Sequence, residues 1–388
     1  MHSQTSAAVK EADGLRDLIL ENRDATEKNR KIAEPVVEAL NERRLGRLVL
    51  PAEYSGWGGA SPREALEVYE TLARAEASVA WIVWVNSLPC WFARFLSADA
   101  RQEVFGGPAA VLASSTRPTG RARVEGDSYV VNGRWSLVSG CMHASWIPVM
   151  CLVEKDREVE MLAPDVPHMR MLFVPKEKHE IVDTWHVGGL RGTGSHDCVL
   201  TDISVPVGLS FAMGDPSLLD SPTGRVPIFG AMVSGCASIC LGITATSLQA
   251  VLDLADKITV DGGPGLRDRA PIQLLIAKID AKIRSFRDRL HSTCDRLWET
   301  AESGKERDPA EIGAVLATGI TTAQECRAAV SELYAAAGTS ALYTDSPLER
   351  AHRDIHAVTQ HITLQPFWME QAGRVQLGIK PTHPLFMI

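Results

Sequence analysis

No C-x-x-C pair occurs in the 388 residues, although eight cysteines do: Cys90, Cys141, Cys151, Cys198, Cys236, Cys240, Cys294 and Cys326. Cys236 and Cys240 lie within an apolar helical run with no histidine nearby, so neither a zinc site nor a disulfide framework is expected. The thiols read as small buried hydrophobes in a reducing, cytoplasmic compartment. No G-x-G-x-x-G follows a strand-like run, which removes the footing for a Rossmann nicotinamide site. With a net charge of −8 and no long basic run, the electrostatic footprint of a nucleic-acid binder is missing. Residues 1–6 lack a basic stretch leading into an apolar one, so no secretory signal is expected. The longest apolar run, residues 228–243, is interrupted by Gly230, Ser234, Gly235, Ser238 and Gly242 and reads as a buried helix rather than a membrane span.

What is there divides by period. Leu15, Ile19, Ile32, Val36, Val37 and Leu40 recur at helical spacing. A glycine-rich break at residues 51–59 follows. Ser61, Pro62 and Glu64 then form an N-cap, a proline at the first helical position and a capping-box glutamate, opening a helix to about residue 75. A very apolar helix over residues 80–86 ends near Pro89. From about residue 109 the period becomes two, with short strand candidates between turn residues, as in a small sandwich or barrel. After Pro227 the helical period returns. Helices are expected over residues 227–255, 271–301, 309–337 (capped by Asp308) and 348–372. The polar stretch 261–269 reads as a mobile loop. The fold class is therefore mainly α with a central β domain: units at 1–108, 109–222 and 223–388, the last a four-helix bundle.

Three stretches carry candidate chemistry. Residues 132–146, N-G-R-W-S-L-V-S-G-C-M-H-A-S-W, open with an Asn132–Gly133 dipeptide suited to a tight hairpin turn. Ser139–Gly140 then offers a hydroxyl and a bare backbone between Trp135 and Trp146, which suits a planar heteroaromatic guest; an ordinary hairpin with core tryptophans fits the same residues. Residues 188–194, G-G-L-R-G-T-G, lack the lysine of a P-loop. They read either as a wide turn or as a loop presenting Arg191, Thr193 and backbone N–H groups to a ligand. His352 and His356, four apart on one helix face, have neither the third ligand nor the glutamate of a zinc site. His361, beside Ile362 and Leu364, faces inward.

Taken in order, the segments R-P-T-G-R-A (117–122), G-R-W-S-L-V-S-G-C-M-H-A-S-W (133–146), D-T-W-H-V-G-G-L-R-G-T-G-S (183–195) and S-P-L-E-R (346–350) leading through Arg353–Asp354 to His361 resemble the acyl-CoA dehydrogenase superfamily, and within it the flavin-dependent monooxygenase branch. The resemblance implies an N-terminal helical domain, a middle β-barrel or sandwich and a C-terminal four-helix bundle, assembled as a homotetramer. It implies the oxygenase component of a two-component system. A separate reductase supplies diffusible reduced FMN or FAD, which reacts with O2 to give a C4a-hydroperoxyflavin that hydroxylates a small aromatic or polycyclic substrate. Ser139 resembles the serine beside flavin N5, Ser114 an upstream serine of the same pocket, and Trp135 the aromatic residue near the isoalloxazine. Thr193 and Ser195 resemble the loop that meets flavin or substrate, and Arg269 an arginine that meets cofactor phosphates across a subunit boundary. His361 resembles the histidine over the flavin, orienting the substrate or taking its proton.

One departure is plain: no histidine lies between Trp81 and Val138, where some aromatic hydroxylases of the branch bind substrate. N-oxygenation of an amine or amino sugar is the alternative that this leaves. Acyl-CoA dehydrogenation, a second alternative, needs a carboxylate base, and residues 233–252 contain none. The apolar tail, residues 384–388, suits burial against another subunit or against its own bundle.

Overall fold

The computed structural model describes residues 6–108, 111–255 and 265–387. The N-terminal part holds helices α1 (Ala7–Asp13), α2 (Arg16–Glu21), α3 (Arg23–Asn29), α4 (Glu34–Glu42), α5 (Pro62–Ala73), α6 (Ala77–Phe92) and α7 (Ala98–Phe105). The strands follow: β1 (Ser115–Glu125), β2 (Ser128–Val138), β3 (Val149–Lys155), β4 (Glu158–Val159), β5 (Met161–Ala163), β6 (Val166–Pro167), β7 (Met169–Leu172), β8 (Glu180–Val182), β9 (His196–Pro206) and β10 (Ser210–Phe211). The chain then returns to helices α8 (Pro222–Arg225), α9 (Ile228–Ala255), α10 (Ala270–Ser303), α11 (Pro309–Ala337), α12 (Pro347–Val358) and α13 (Pro366–Gln376).

The sheet runs β10-β7-β3-β1-β2-β9-β8, with β4 paired to β3. It is antiparallel except where β1 and β3 run parallel. The hairpin turn does not fall at Asn132–Gly133. It falls at Gly126–Asp127, Gly126 having φ 57°, and β2 passes straight through Asn132–Gly133. Those two residues sit instead at a register shift against β9, where the Asn132 amide donates to Asp202 and accepts the Asp202 N–H. Gly133 is required by packing. A Cβ there would stand 2.6 Å from the Gly120 Cα, and both glycines leave room for the Trp135 ring. Trp135 is fully buried and donates its indole N–H to the Met150 carbonyl at 2.9 Å. It is a core residue of the sheet.

The capping box at Ser61 and Glu64 forms as expected, and Asp308 caps α11. α6 runs past Pro89 to Phe92, longer than its composition suggested, because a proline late in a buried helix is tolerated where neighbouring helices hold the backbone. The expected helix over 348–372 is broken: α12 ends at Val358 and α13 starts at Pro366, whose ring forces the preceding residue into an extended conformation. That break carries His361.

α9 is long and apolar enough to cross a membrane by composition, but 89% of its apolar stretch is buried inside the molecule, packed against α5, α6, α10, α11 and α12. Three arginines, Arg47, Arg94 and Arg101, are buried without carboxylates, Arg101 donating to the Tyr54 hydroxyl and the Leu96 carbonyl. Arg47, 2% exposed, donates to the carbonyls of Tyr54, Phe105, Gly107 and Pro108; Arg94 donates to those of Val226 and Thr223. Arg47 and Arg94 satisfy carbonyls at helix ends and in the connecting segments, which have no partner within a helix or strand. All eight cysteines are free and buried, and Phe386 of the C-terminal segment packs into its own chain. Of the polar stretch 261–269, residues 261–264 lie outside the described residues and 266–268 form a 3-10 turn.

Candidate active site

The centre of the site is a chain of hydroxyls whose proton directions follow by elimination. Thr193 Oγ1 donates its only proton to the Leu190 carbonyl at 2.8 Å. Ser195 Oγ, 2.7 Å from Thr193 Oγ1, must therefore be the donor of that pair. Ser139 Oγ, 2.7 Å from Ser195 Oγ, must in turn give its proton to Ser195. Ser139 also accepts the indole N–H of Trp81 at 3.1 Å. Its proton and one lone pair are thus committed, and the second lone pair is left to accept. Ser139 presents an acceptor, not a donor.

Strand geometry delivers that oxygen. β2 leaves its register with β9 between Trp135 and Val138, and Leu137 is held at φ 62° with half of its surface exposed. A left-handed conformation is costly for a branched-chain residue and marks a place where local comfort yields to site geometry. Gly140 follows at φ 79°, its N–H donating to the Thr193 carbonyl at 2.9 Å, and Cys141 Sγ reaches the Gly194 carbonyl. The 137–141 turn and the 190–195 loop are thereby clasped.

His361 closes the other side. Its ring stands edge-on to Trp81 and Trp84, centroids at 5.2 and 5.1 Å and both planes at 81°. The two tryptophans lie three residues apart, on one face of α6. Trp84 is anchored by its N–H to the Met232 carbonyl of α9. His361 Nδ1 accepts the backbone N–H of Thr363 at 3.3 Å, so in the neutral ring Nε2 carries the proton. Burial lowers its pKa to about 4, helped by the positive charge of Arg117. The imidazole is neutral at pH 7 and offers an N–H.

A cluster of charges holds the 188–195 loop. Arg350 pairs with Asp24 and Glu27, each at 2.8 Å, and with Glu76; Arg353 pairs with Glu27 and Glu349 and donates to the Gly188 carbonyl. Asp354, buried beside them, accepts the Leu190 N–H at 2.7 Å. Desolvation, with Glu76 nearby, raises its pKa to about 7.

Of the expected site residues, His361, Ser139, Ser195 and Thr193 come together through Trp81. Trp135 does not join them, for the packing reason given above. Ser114 is half-buried ahead of β1, and among the described residues no side-chain hydrogen bond ties it to the hydroxyl chain. Arg269 is exposed at the start of α10. Trp81, Trp84 and Asp354 had no assigned role. The signal available for the tryptophans was their three-residue spacing in an otherwise aliphatic helix. A cavity of about 490 Å³, bordered by Arg225, Leu297, Lys305 and Arg307, shares none of these residues, and its arginines are already bonded to carbonyls.

Comparison with known proteins decides the family. Residues 12–110 match the family model of the acyl-CoA dehydrogenase N-terminal domain, and residues 234–366 that of an acyl-CoA dehydrogenase C-terminal domain. The flavin-dependent monooxygenase oxygenase subunit HsaA of Mycobacterium tuberculosis is 30% identical over 392 residues, covering 95% of both chains. This chain belongs to the flavin-dependent monooxygenases of the acyl-CoA dehydrogenase family. An indole-3-acetate monooxygenase of Acinetobacter baumannii is 29% identical over 353 residues, 90% of this chain and 88% of that one. The crystal structure of 3-HSA hydroxylase from Rhodococcus sp. RHA1 superposes with a TM-score of 0.90 over 99% of each chain, at 24% identity. The oxygenase works with reduced flavin and O2, and its standing as an oxygenase component implies a separate reductase and a small-molecule substrate. The residues fit a reduced flavin: an uncommitted acceptor on Ser139 and flat apolar walls without a carboxylate acting on His361.

Proposed function

We propose that this oxygenase holds reduced flavin against Ser139, Gly140 and the 190–195 loop, and an electron-rich aromatic substrate beneath His361. The observation that carries the reading is the directed hydroxyl chain, which leaves Ser139 Oγ able only to accept. Reduced flavin, when bound, supplies the electrons that activate O2 for transfer of one oxygen atom to the ring. Ser139 Oγ would accept a hydrogen bond from the flavin N5–H and so hold that proton on the flavin. Trp81 orients that serine, and Trp81 and Trp84 keep water from the ring face. His361 donates its Nε2–H to an oxygen of the substrate and fixes its orientation. Since Nδ1 is occupied by the Thr363 N–H and Nε2 is already protonated, it acts as a donor rather than as the base that takes a substrate proton. Arg269 meets the cofactor phosphate.

Indole is the natural ring to begin with, given the indole-3-acetate monooxygenase relative. N-oxygenation is not favoured, since relatives of this chain include an indole-3-acetate monooxygenase and a resorcinol hydroxylase. Acyl-CoA dehydrogenation needs a carboxylate base, and among the described residues no carboxylate acts on His361 while the buried Asp354 is bonded to the Leu190 N–H. The family resemblance extends the reading to a homotetramer. A cytoplasmic location and a division into units at 1–108, 109–222 and 223–388 complete the reading.

The test is isotope tracing. An unrelated reductase supplies reduced flavin, indolic and phenolic compounds are offered under labelled dioxygen, and products are weighed. One labelled oxygen atom per product is expected, with none from labelled water. Hydrogen peroxide as the only product across the panel would contradict the reading.

A further inference from the structure

Four residues at the start of β1 form a bulge. The β1–β3 register passes from Ser115↔Val149 to Gly120↔Cys151, so residues 116–119 stand opposite the single residue Met150. Arg117 is thrown outward by this bulge. It is exposed and, among the described residues, makes no hydrogen bond or ion pair. Two independent observations put it at the rim of the site. The β1–β2 pairing, last registered at Arg121↔Asn132, is continued by Thr119 Oγ1 donating to the Arg134 carbonyl at 2.8 Å, which leaves Arg117 two residues beyond that bond, towards the end where β2 runs on to Val138. The Arg117 charge also acts on the His361 imidazole, and no carboxylate does. Around the Ser139–Gly140 turn, Leu137 (50%) and Met142 (41%) leave apolar surface open.

We propose that the substrate is an aromatic carboxylic acid whose carboxylate is received by Arg117 while its ring lies between Leu137 and His361. This rests on the hydroxylase reading above. An unpaired guanidinium next to apolar surface suits such a molecule, since its fork matches a carboxylate in two hydrogen bonds and low-dielectric walls strengthen the attraction. Arg117 then selects the substrate without taking part in oxygen transfer.

The test compares indole-3-acetate with indole-3-acetamide, which has the same ring without the charge. Binding, oxygenated product and reduced-flavin affinity are measured in the wild type, Arg117→Gln and Arg117→Lys. The wild type is expected to prefer the acid by about tenfold or more in Kd, the range of one charge-assisted contact. Arg117→Gln brings that ratio toward one, Arg117→Lys restores part of it, added salt weakens it, and reduced-flavin affinity does not move. Equal or unmeasurable affinity for the acid overturns the proposal; oxygenation of the amide then shows the hydroxylase reading standing without it. Weaker reduced-flavin binding in Arg117→Gln also overturns it, because the cation then serves the cofactor. Preference for the acid with only peroxide released marks failure of the hydroxylase reading and leaves the carboxylate site intact.

Discussion

Replacing His361 with alanine is expected to lower the product formed per reduced flavin consumed by about tenfold or more, the loss of one buried oriented hydrogen bond. Peroxide should rise in proportion. The Kd for reduced flavin should stay within about threefold, because the Ser139 chain and the 190–195 clasp do not involve the imidazole. The truncation also opens space against the faces of Trp81 and Trp84, which admits water where the ring now excludes it. His361→Asn keeps an N–H donor and should recover part of the coupling. The pH dependence has a definite sign. With a pKa of about 4 the ring stays neutral from pH 6 to 8, so coupling should show no His361 limb near pH 6.5, where an ordinary histidine titrates. Between pH 6.5 and 4 the unfolded chain binds this proton before the folded one, so stability falls as pH falls through that window. Retained full coupling in the alanine variant would remove His361 from the chemistry.

The second large effect is expected at Gly189. A Cβ there would overlap the Arg353 carbonyl oxygen, lie 2.6 Å from the Arg353 carbonyl carbon and 3.0 Å from the Ala357 Cβ. These are α12 backbone and a short side chain, so the loop itself must lift. Lifting breaks the bond from the Leu190 N–H to Asp354, strands a buried carboxyl and withdraws the Leu190 carbonyl that ends the hydroxyl chain. Gly189→Ala should cost about 3 kcal/mol of stability, from steric displacement and an unsatisfied buried group together. Reduced-flavin Kd should rise by about tenfold or more, one oriented hydrogen bond's worth. Gly188→Ala is the control: nothing lies within 4 Å of its Cβ, and a change within about 0.5 kcal/mol is expected. Denaturant unfolding and flavin titration of the two variants decide it. Equal behaviour would mean that docking on α12 does not position the loop.

Much of the architecture was legible because its signals are local. Ser61–Glu64 and Asp308 named their helix starts, and the change from period 3.6 to period 2 and back marked the β region. The errors came where tertiary packing outweighs a dipeptide. Asn132–Gly133 has turn chemistry, yet its glycine is there to let β1 pass and to seat Trp135. Pro366 was a stop signal in plain view, and missing it hid the break between α12 and α13, where His361 caps the 3-10 turn Ile362–Leu364. The hydroxyls Ser139, Thr193 and Ser195 could be picked out by resemblance. The direction of their protons depends on which oxygen meets the Leu190 carbonyl, a contact no sequence spacing encodes. Nor could spacing decide which of nine tryptophans line the site. Trp81, Trp84 and Trp135 all sit in apolar surroundings, and only the first two share a face with His361.

Rapid mixing is the most direct measurement: protein with anaerobically reduced flavin is mixed with oxygenated buffer and the absorbance of oxidised flavin is followed. The expected result is a marked delay relative to free flavin, shortened in Ser139→Ala because the N5 proton has lost its acceptor. Return of oxidised flavin at the free-flavin rate, with and without an aromatic compound present, would contradict an oxygenase site built on Ser139.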